Sequence, residues 1–285
     1  MKYYNSYSTE LLEKGYVHIK SFYKVDQIKQ INQKIIQVIN SVSSFYLGNS
    51  CADINLEGGA INKILQHMQY NRRDLISIIY DAVKAIPEFC RLVSSEQNIE
   101  LAKLIRTTDS IGITRGGEGI RMDLPKEEKF MAPWHQDYLS QFGSYDGLVF
   151  WAPLVNITQD IGPIKVLINS HKEGLLPVYY ENTESINTAY GMRICDEEKL
   201  IKQYEAVDLI CEVGDLLIID FKTIHKSGFN VSDKVRWSMQ IRYFNFNDPL
   251  GVSKGWPSGL TTGKKLSQIH PELLLSKIKE KPNVN

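Results

Sequence analysis

The stretch Pro133-Trp134-His135-Gln136-Asp137 decides how the rest of this chain is interpreted. His135 and Asp137 are two positions apart, so on a β-strand both side chains would project from the same face. An imidazole nitrogen and a carboxylate oxygen would then point at one place, which is half of a metal site. A second histidine on a neighbouring strand would complete the site, and His225 is the candidate.

His225 stands where such a ligand is expected. Residues 214–220 predict a turn that leads into a buried strand, and His225 follows just beyond the end of that strand. Two histidines and one carboxylate form the facial triad of non-haem Fe(II) sites, which leaves coordination positions for an organic co-substrate and dioxygen. The sequence therefore predicts an Fe(II) site formed by His135, Asp137 and His225.

The composition is that of a globular protein without a strong overall charge. The 285 residues are 43% hydrophobic, and Lys plus Arg equals Asp plus Glu at 33 each. No global field therefore attracts nucleic acid or a membrane surface, and we expect neither as a partner. The four cysteines include no C-x-x-C pair, which disfavours structural zinc and favours a reducing compartment. With no signal-type or membrane-spanning apolar run, we expect a cytoplasmic protein of unspecified oligomeric state.

The first part of the chain, residues 1–108, predicts a mainly helical layer. Alternating apolar residues in Tyr16-Val17-His18-Ile19 indicate one short strand. A helix capped by Asp26 is expected to run to Gly48, a second from about Asp74 to an interruption at Pro87, and a third over residues 96–105.

From residue 109 the pattern changes to short apolar runs between turns, which is typical of a β-sandwich or barrel. We predict strands at residues 110–114, 119–124, 147–155, 163–168, 215–220 and 235–246. The predicted fold class is α+β, mainly β: a helical layer on an antiparallel barrel at residues 109–248, together forming one domain of residues 1–285. The polar stretch 179–204 is interpreted as a lid insertion. Residues 249–285 form a tail with a helix at 272–279, in which His270 is interpreted as a cap or surface group.

The strand at residues 235–246 predicts a polar wall for the site. Arg236, Ser238, Gln240 and Arg242 share one face of this strand, and Trp237, Met239, Ile241 and Tyr243 share the other. Arg236 offers a planar fork for a carboxylate, so a dicarboxylate could bind both the metal and this guanidinium. The alternative is an ordinary salt bridge on an edge strand. We expect Arg242, further along the face, to affect substrate binding or stability more than the co-substrate.

Several motifs together resemble one family. They are Trp134-His135-Gln136-Asp137, Trp151-Ala152-Pro153-Leu154, Gly162-Pro163, Ser170-His171-Lys172-Glu173-Gly174, Gly214-Asp215, and His225-Lys226-Ser227-Gly228 with Arg236. The set, which spans residues 121–243, resembles the phytanoyl-CoA dioxygenase-like family of Fe(II)- and 2-oxoglutarate-dependent oxygenases. The resemblance implies a double-stranded β-helix, or jelly-roll, core of cupin type.

The resemblance also implies roles for individual residues. His135, Asp137 and His225 would be the iron ligands, Arg236 and Ser227 would hold the distal carboxylate of 2-oxoglutarate, and Gln136 and Trp151 would flank this co-substrate. The turn 168–172 lacks the proline and glycine usual in the family. His171, within this turn, is interpreted as structural and as the chief rival ligand.

The implied reaction is oxidation of a C–H bond with O2, releasing succinate and CO2. Because Asp137 is a carboxylate, no coordination position is vacated for a halide, so hydroxylation, desaturation or carbonyl formation is favoured over halogenation. Without a basic cluster in the sequence suited to coenzyme A, we expect a small polar metabolite as the substrate rather than an acyl thioester. Two other hypotheses stay open: a non-catalytic jelly-roll binding protein, and a zinc or manganese isomerase of cupin type.

Overall fold

The computed structural model describes residues 4–180, 191–257 and 265–275. The N-terminal part is helical apart from the predicted short strand, β1 (Tyr16–Ile19), which is confirmed. Its helices are α1 (Tyr4–Lys14), α2 (Val25–Leu47), α3 (Gly59–Asn71), α4 (Arg73–Ala82), α5 (Pro87–Val93) and α6 (Glu96–Arg106).

Helix α2 forms because its apolar residues recur at helical spacing and pack into the core. The buried isoleucines of this stripe are Ile28, Ile31, Ile35, Ile36 and Ile39. The helix ends at Gly48, whose φ of 69° lies in the left-handed region that glycine adopts without strain. The predicted helix is confirmed, but Lys24 occupies the N-cap position and Asp26 lies in the first turn. There a carboxylate still interacts favourably with the helix dipole.

The other predicted helices are found with altered boundaries. The second ends at Ala82, a short 3-10 turn follows, and Pro87 begins α5 as its first residue. Proline is tolerated at this position because the first turn of a helix leaves its N–H groups unbonded in any case. The third predicted helix is confirmed as α6. Helices α1 and α3 were not predicted.

The rest of the chain is mainly β. Its strands are β2 (Ile111–Ile113), β3 (Gly119–Asp123), β4 (Leu148–Pro153), β5 (Ile164–Leu167), β6 (Val178–Tyr180), β7 (Met192–Ile194), β8 (Ala206–Leu209), β9 (Leu216–Asp220), β10 (His225–Lys226) and β11 (Arg236–Asn245). All pair antiparallel. The larger sheet has the order β1-β9-β4-β11-β2, with β3 also on β11, and the smaller sheet has the order β10-β5-β8. All six strands predicted after residue 108 are confirmed; the short strands β6, β7, β8 and β10 were not predicted.

Strand β11 has the two faces that its sequence predicts. Trp237, Met239, Ile241 and Tyr243 are at most 1% exposed. The Tyr243 hydroxyl donates to the Val93 carbonyl of α5 at 2.7 Å, which fixes the apolar face against the helices. The opposite face carries the polar row. β11 is central in the sheet, with β4 on one side and β2 and β3 on the other, so Arg236 does not lie on an edge strand, although it does form a salt bridge, with Asp123.

The predicted lid and tail are described only in part. Within residues 179–204, β6 and β7 pair and a helix α7 (Glu197–Gln203) follows, while residues 181–190 lie outside the described residues. In the tail, α8 (Pro249–Lys254) and α9 (Leu266–Ile269) are present. A 3-10 turn replaces the first part of the helix predicted at 272–279, since Leu274 bridges to Val178; residues 276–279 lie outside the described residues.

One continuous hydrophobic cluster connects the helices with the larger sheet. It runs from Ile28 and Ile79 in the helices to Phe150 and Ile218 in the central strands. The fold is therefore a mixed α and β structure in which helices cover one face of an antiparallel sheet. None of the helices in the described ranges combines the length and the hydropathy needed to cross a membrane.

Candidate metal centre

The two histidines of the predicted site face each other across a β-bridge. His135 N–H donates to the His225 carbonyl at 3.0 Å, and His225 N–H donates to the His135 carbonyl at 3.1 Å. This reciprocal pair places the rings side by side, with centroids 4.2 Å apart. His135 lies in an isolated bridge and Asp137 begins a 3-10 turn, Asp137–Leu139, so the two residues do not share one regular strand as expected.

The turn nevertheless brings Asp137 to the histidines. The ligand atoms of His135, Asp137 and His225 all lie within 4.8 Å of one another. His225 Nε2 is 3.4 Å from Asp137 Oδ2. Asp137 is 1% exposed and His225 is 6% exposed, so these two residues are shielded from water, while His135 is partly exposed. The structure thus brings together all three residues that the sequence predicts as metal ligands.

Hydrogen bonds to the backbone orient both imidazoles. His135 Nδ1 lies 2.8 Å from the Pro133 carbonyl, and His225 Nδ1 lies 2.9 Å from the Thr223 carbonyl. A carbonyl only accepts, so each Nδ1 carries the proton, and the Nε2 lone pairs point into the site. Burial, together with the neighbouring His225, lowers the pKa of His135 to about 4. His135 is therefore a neutral nitrogen ligand at physiological pH.

Arg242 holds the carboxylate of Asp137. Its Nε–H donates to Oδ1 at 2.9 Å, and its Nη2 lies 2.8 Å from the same oxygen. Burial alone would raise the pKa of Asp137, but the Arg242 guanidinium and the two imidazoles outweigh it and hold the pKa well below its usual range. The sequence prediction assigned Arg242 to substrate binding or stability and did not anticipate this contact. Its position on the polar face of β11 was the only available signal.

The other oxygen of Asp137 is the one that fits a metal. Oδ2 is buried and accepts no hydrogen bond from any described residue. An unpaired buried carboxylate oxygen is costly unless a cation or a donor satisfies it. Two Nε2 lone pairs converge on the same place. This donor set of two neutral nitrogens and one anionic oxygen fits a divalent transition metal, including Fe(II).

Arg236, the predicted co-substrate arginine, lies on the same strand face and is 2% exposed. Its Nη2 is 3.0 Å from Asp123 Oδ2, and its Nη1 donates to the carbonyls of Gly162 and Gly228. Arg121 Nη2 contacts the same Asp123 at 2.8 Å. Burial opposes ionisation of Asp123, but the two guanidinium groups hold its pKa well below its usual range. Two guanidinium groups therefore share the Asp123 carboxylate.

The remaining predicted residues take different positions. Ser227 and Trp151 are buried and line the same pocket as the triad. Gln136 also lines it, but its amide is bonded to the backbone: Nε2 donates to Gly174 and Lys222, and Oε1 accepts from Leu176 N–H. The Gln136 side chain thus connects two loops through hydrogen bonds to their backbones.

Two histidines outside the triad have structural partners. His171 Nε2 meets the Leu12 carbonyl at 3.0 Å, and the residue is not part of the metal-type cluster, which agrees with its structural interpretation. His270 was predicted as a cap or surface group: it is the cap residue between α9 and the 3-10 turn that follows, but it is not a surface group. It is 5% exposed and bonds the Tyr138 hydroxyl at 2.8 Å, because the tail folds back over the core.

A second group of metal-type residues, His18, Cys211 and Asp215, lies by β1 and β9. Asp215 already accepts from His18, from Lys20 Nζ and from the backbone N–H groups of Ser21 and Glu212. Burial raises the pKa of the Cys211 thiol to about 12, so the thiolate that a metal requires is disfavoured. This group is a structural hydrogen-bond cluster.

The pocket above the triad has a volume of about 120 Å³. Its apolar walls come from Trp134, Trp151, Val149, Ile164 and Ile219, and its polar wall comes from β11. A two-histidine, one-carboxylate set that lines a pocket next to antiparallel sheets could hold a divalent metal such as Fe(II).

Comparison with known proteins identifies the family. The sequence profile of the phytanoyl-CoA dioxygenase (PhyH) family matches residues 11–238, so the chain belongs to that family. A probable alpha-ketoglutarate-dependent hypophosphite dioxygenase of Stutzerimonas stutzeri is 22% identical over 255 residues, which cover 87% of this chain and 78% of that protein. The chain is an oxidoreductase of the iron- and 2-oxoglutarate-dependent dioxygenase class.

Solved structures show the same fold at low sequence identity. The epimerase SnoN, in complex with Fe3+, alpha-ketoglutarate and nogalamycin RO, has a TM-score of 0.56 and 14% identity, with 86% of this chain and 84% of that chain covered. EctD from S. alaskensis with bound Fe has a TM-score of 0.54 and 14% identity, with 84% and 75% covered.

Proposed function

We propose that His135, Asp137 and His225 hold Fe(II), and that this centre oxidises a C–H bond of a small polar metabolite. The observation that carries the assignment is the unpaired, buried Asp137 Oδ2 beside two Nε2 atoms whose rings are fixed by backbone carbonyls. When bound there, iron supplies activation of O2 with 2-oxoglutarate as the reductant, and the products include succinate and CO2.

The protein's own residues bind and orient the reactants. Arg242 holds Oδ1 of Asp137 so that Oδ2 faces the histidines. Arg236 is proposed to hold the distal carboxylate of 2-oxoglutarate through its guanidinium, with the Ser227 hydroxyl beside it. The ion pair with Asp123, which Arg121 also contacts, fixes the Arg236 guanidinium in position.

The apolar walls exclude water and position the target carbon. Trp134 and Trp151 are 5% and 4% exposed and flank the triad within the pocket. A dry site strengthens the electrostatic contacts to the co-substrate and prevents loss of the oxidant to water. We propose that Trp151 and Gln136 form the part of the pocket wall beside 2-oxoglutarate. Gln136 contributes by holding together the loops that its amide bonds.

We further propose that the larger and smaller sheets form the two sides of a double-stranded β-helix, or jelly-roll, within one domain of residues 1–285. The antiparallel order of both sheets and the continuous hydrophobic cluster support this. Residues 1–108 would support the core at 109–248, and 249–285 would form the tail. Residues 179–204 are proposed as a lid, since Val178 and residues 192–194 line the pocket. A cytoplasmic location without nucleic-acid or membrane partners remains our proposal.

Two observations bear on the substrate. The pocket volume of about 120 Å³ lies below the roughly 300–1,000 Å³ that sites for drug-sized ligands occupy. The relative from S. stutzeri is named for hypophosphite, which is also small and polar. We therefore propose a small polar substrate for this chain, with an acyl thioester as the alternative.

The test is anaerobic addition of Fe(II) and 2-oxoglutarate to the purified protein. We expect a weak visible metal-to-ligand charge-transfer band in the parent protein, and its loss in Asp137→Ala, which should remain folded by circular dichroism. Metabolites are then screened for substrate-stimulated succinate formation in air. A parent protein that binds Fe(II) but shows neither the band nor 2-oxoglutarate turnover would contradict the proposal and favour a non-catalytic binding protein.

A further inference from the structure

Strand β11 contributes three polar residues to the pocket wall. Arg236, Gln240 and Arg242 line the pocket from the same face of the strand. Nine of the ten residues of β11 are buried, and Gln240 is the one that is partly exposed. Since β11 is a central strand, this exposure comes from the cavity that the Gln240 side chain faces. A glutamine in this position can contact a ligand in the pocket.

The neighbours of Gln240 across the sheet leave room beside it. Its cross-strand partner is Trp151 on β4 and Gly119 on β3. Directly opposite residues of antiparallel strands project from the same face, so a side chain at position 119 would lie next to Gln240. A Cβ atom at Gly119 would meet open space, with no heavy atom beyond its own chain neighbours within 4 Å. The glycine therefore keeps one side of the Gln240 amide open.

Arg242 determines which end of the Gln240 amide is available. Its Nη2 donates to Gln240 Oε1 at 3.5 Å. A guanidinium group has donors only, so the amide oxygen turns towards Arg242 and the amide nitrogen turns away from it. This nitrogen donates to no residue within 4–180, 191–257 or 265–275. The two N–H donors of Gln240 are thus available to a ligand.

The order of residues along β11 places Gln240 towards the metal end of the proposed 2-oxoglutarate site. Arg242 contacts the candidate ligand Asp137, and Arg236 is the residue proposed for the distal carboxylate. Gln240 is two residues from Arg242 and four from Arg236, which is roughly 7 and 13 Å along an extended strand. A 2-oxo acid binds a metal through its keto oxygen and one carboxylate oxygen, so the second oxygen of that carboxylate is left for the protein. Such an oxygen accepts strong, charge-assisted hydrogen bonds.

We infer that Gln240 is a further co-substrate-binding residue, whose amide nitrogen donates to the metal-proximal carboxylate of 2-oxoglutarate. The inference rests on the proposed function, since it requires a metal at the triad and the distal carboxylate at Arg236. Two residues of one strand then bind the two ends of the co-substrate. Gly119 contributes by leaving the approach to the amide open.

The test measures 2-oxoglutarate binding to the anaerobic, Fe(II)-loaded protein through the metal-to-ligand charge-transfer band. Gln240→Met keeps the length of the side chain and removes both N–H donors. Gln240→Glu keeps the shape of the side chain and places an acceptor where the donor was, and Arg242 can pair with it. We expect the dissociation constant of 2-oxoglutarate to rise about ten- to hundredfold in Gln240→Met, as loss of a charge-assisted contact implies, and at least as much in Gln240→Glu.

Pyruvate shows which end of the co-substrate Gln240 contacts. This ligand has the metal-binding 2-oxo acid group but no distal carboxylate. Gln240→Met should weaken the binding of pyruvate and of 2-oxoglutarate by the same factor, whereas Arg236→Lys should weaken only that of 2-oxoglutarate. An effect of Gln240→Met confined to 2-oxoglutarate would overturn the assignment to the metal-proximal carboxylate.

Metal affinity separates a direct contact from a structural role of Gln240. Arg242 reaches Asp137 at 2.9 and 2.8 Å, so the Fe(II) affinity of Gln240→Met should stay within twofold of the parent value. A parallel fall in metal and co-substrate affinity would mean that Gln240 acts only through Arg242, and would overturn the inference. Gln69→Met is the matched control variant: the Gln69 amide donates to the Pro125 carbonyl at 3.0 Å outside the pocket, so both affinities should stay at the parent values.

The two proposals fail in different ways. If the charge-transfer band forms in the parent protein and both Gln240 variants bind 2-oxoglutarate within twofold of it, only the inference about Gln240 fails. If the band is absent from the parent protein, the proposed function fails, and the inference fails with it.

Discussion

Replacing Arg242 by lysine tests whether Arg242 acts on Asp137 by holding the carboxylate in one orientation or only by its positive charge. Arg242 makes two contacts to Asp137 Oδ1, at 2.9 and 2.8 Å, and Nη1 donates to the Gly117 carbonyl at 2.5 Å. A lysine keeps the positive charge but donates from one point, so it cannot reproduce the planar fork. The electrostatic repulsion between the side chain at position 242 and the metal ion thus changes little. The lost hydrogen bonds leave the Asp137 carboxylate less firmly oriented.

The expected effect is a weaker metal site in a folded protein. Loss of one charge-assisted hydrogen bond costs about 1.5–3 kcal/mol, which corresponds to a roughly ten- to hundredfold fall in affinity. Removal of outer partners of metal ligands has a similar effect of about ten- to hundredfold. We therefore expect Arg242→Lys to bind Fe(II) ten- to hundredfold less tightly than the parent protein.

The assay is anaerobic competition for Fe(II) against a chromophoric chelator, repeated with Zn(II) to exclude oxidation effects. Arg236→Lys is the matched control: it changes the same residue type on the same face of β11, but its partner is Asp123 and not a metal ligand. Its metal affinity should stay at the parent value. If Arg242→Lys bound both metals within twofold of the parent protein, the orientation of Asp137 by Arg242 would be refuted.

Three further predictions concern the co-substrate, the ligands and stability. Arg236→Lys should raise the apparent Michaelis constant for 2-oxoglutarate about ten- to hundredfold in an assay of succinate formation. An unchanged constant would mean that Arg236 is not the arginine that binds the co-substrate. His135→Ala or Asp137→Ala should stay folded by circular dichroism, lose normal Fe(II) retention and cease 2-oxoglutarate turnover; full activity would contradict the ligand assignment. Asp220→Asn should unfold about 2–3 kcal/mol more easily in urea at pH 7, because the ion pairs with Arg106 and Lys222 outweigh burial and lower the Asp220 pKa to about 2. That contribution is complete above pH 4 and is lost as pH falls through about 2, so an equal deficit at pH 7 and pH 2 would contradict it.

Some parts of the protein could be predicted from the sequence because they depend on the spacing of residues that are close together in the chain. The isoleucines of α2 recur every three or four residues, and this periodicity predicts a helix wherever one face can be buried. The alternation in β11 predicted which side chains face the pocket and which face the helices. His135, Asp137 and His225 were recognisable as candidate ligands because two histidines and one aspartate stand in a characteristic order. None of these inferences requires knowledge of which strand lies beside which.

Boundaries and small elements were less predictable. Asp137 is the first residue of a 3-10 turn, and this turn, which was not predicted, brings its carboxylate to the two histidines. Strand β10 contains two residues, too few for any periodic pattern. His270 stands before a proline in a polar tail, and its burial against Tyr138 depends on the tail returning to the core. Each of these features is decided by contacts between distant segments.

The sequence by itself predicted the main helical and strand segments, the candidate ligand set and the resemblance to the family, because these follow from residue types and short-range spacing. Only the tertiary structure decided that Arg242 holds Asp137, across 105 residues of chain, and that Asp123 anchors Arg236. It also decided that five cations dispersed between residues 121 and 242 line one pocket, although no basic cluster is visible in the sequence. Sheet register and loop packing set these pairings, and electrostatic interactions depend on distance in space rather than on separation along the chain.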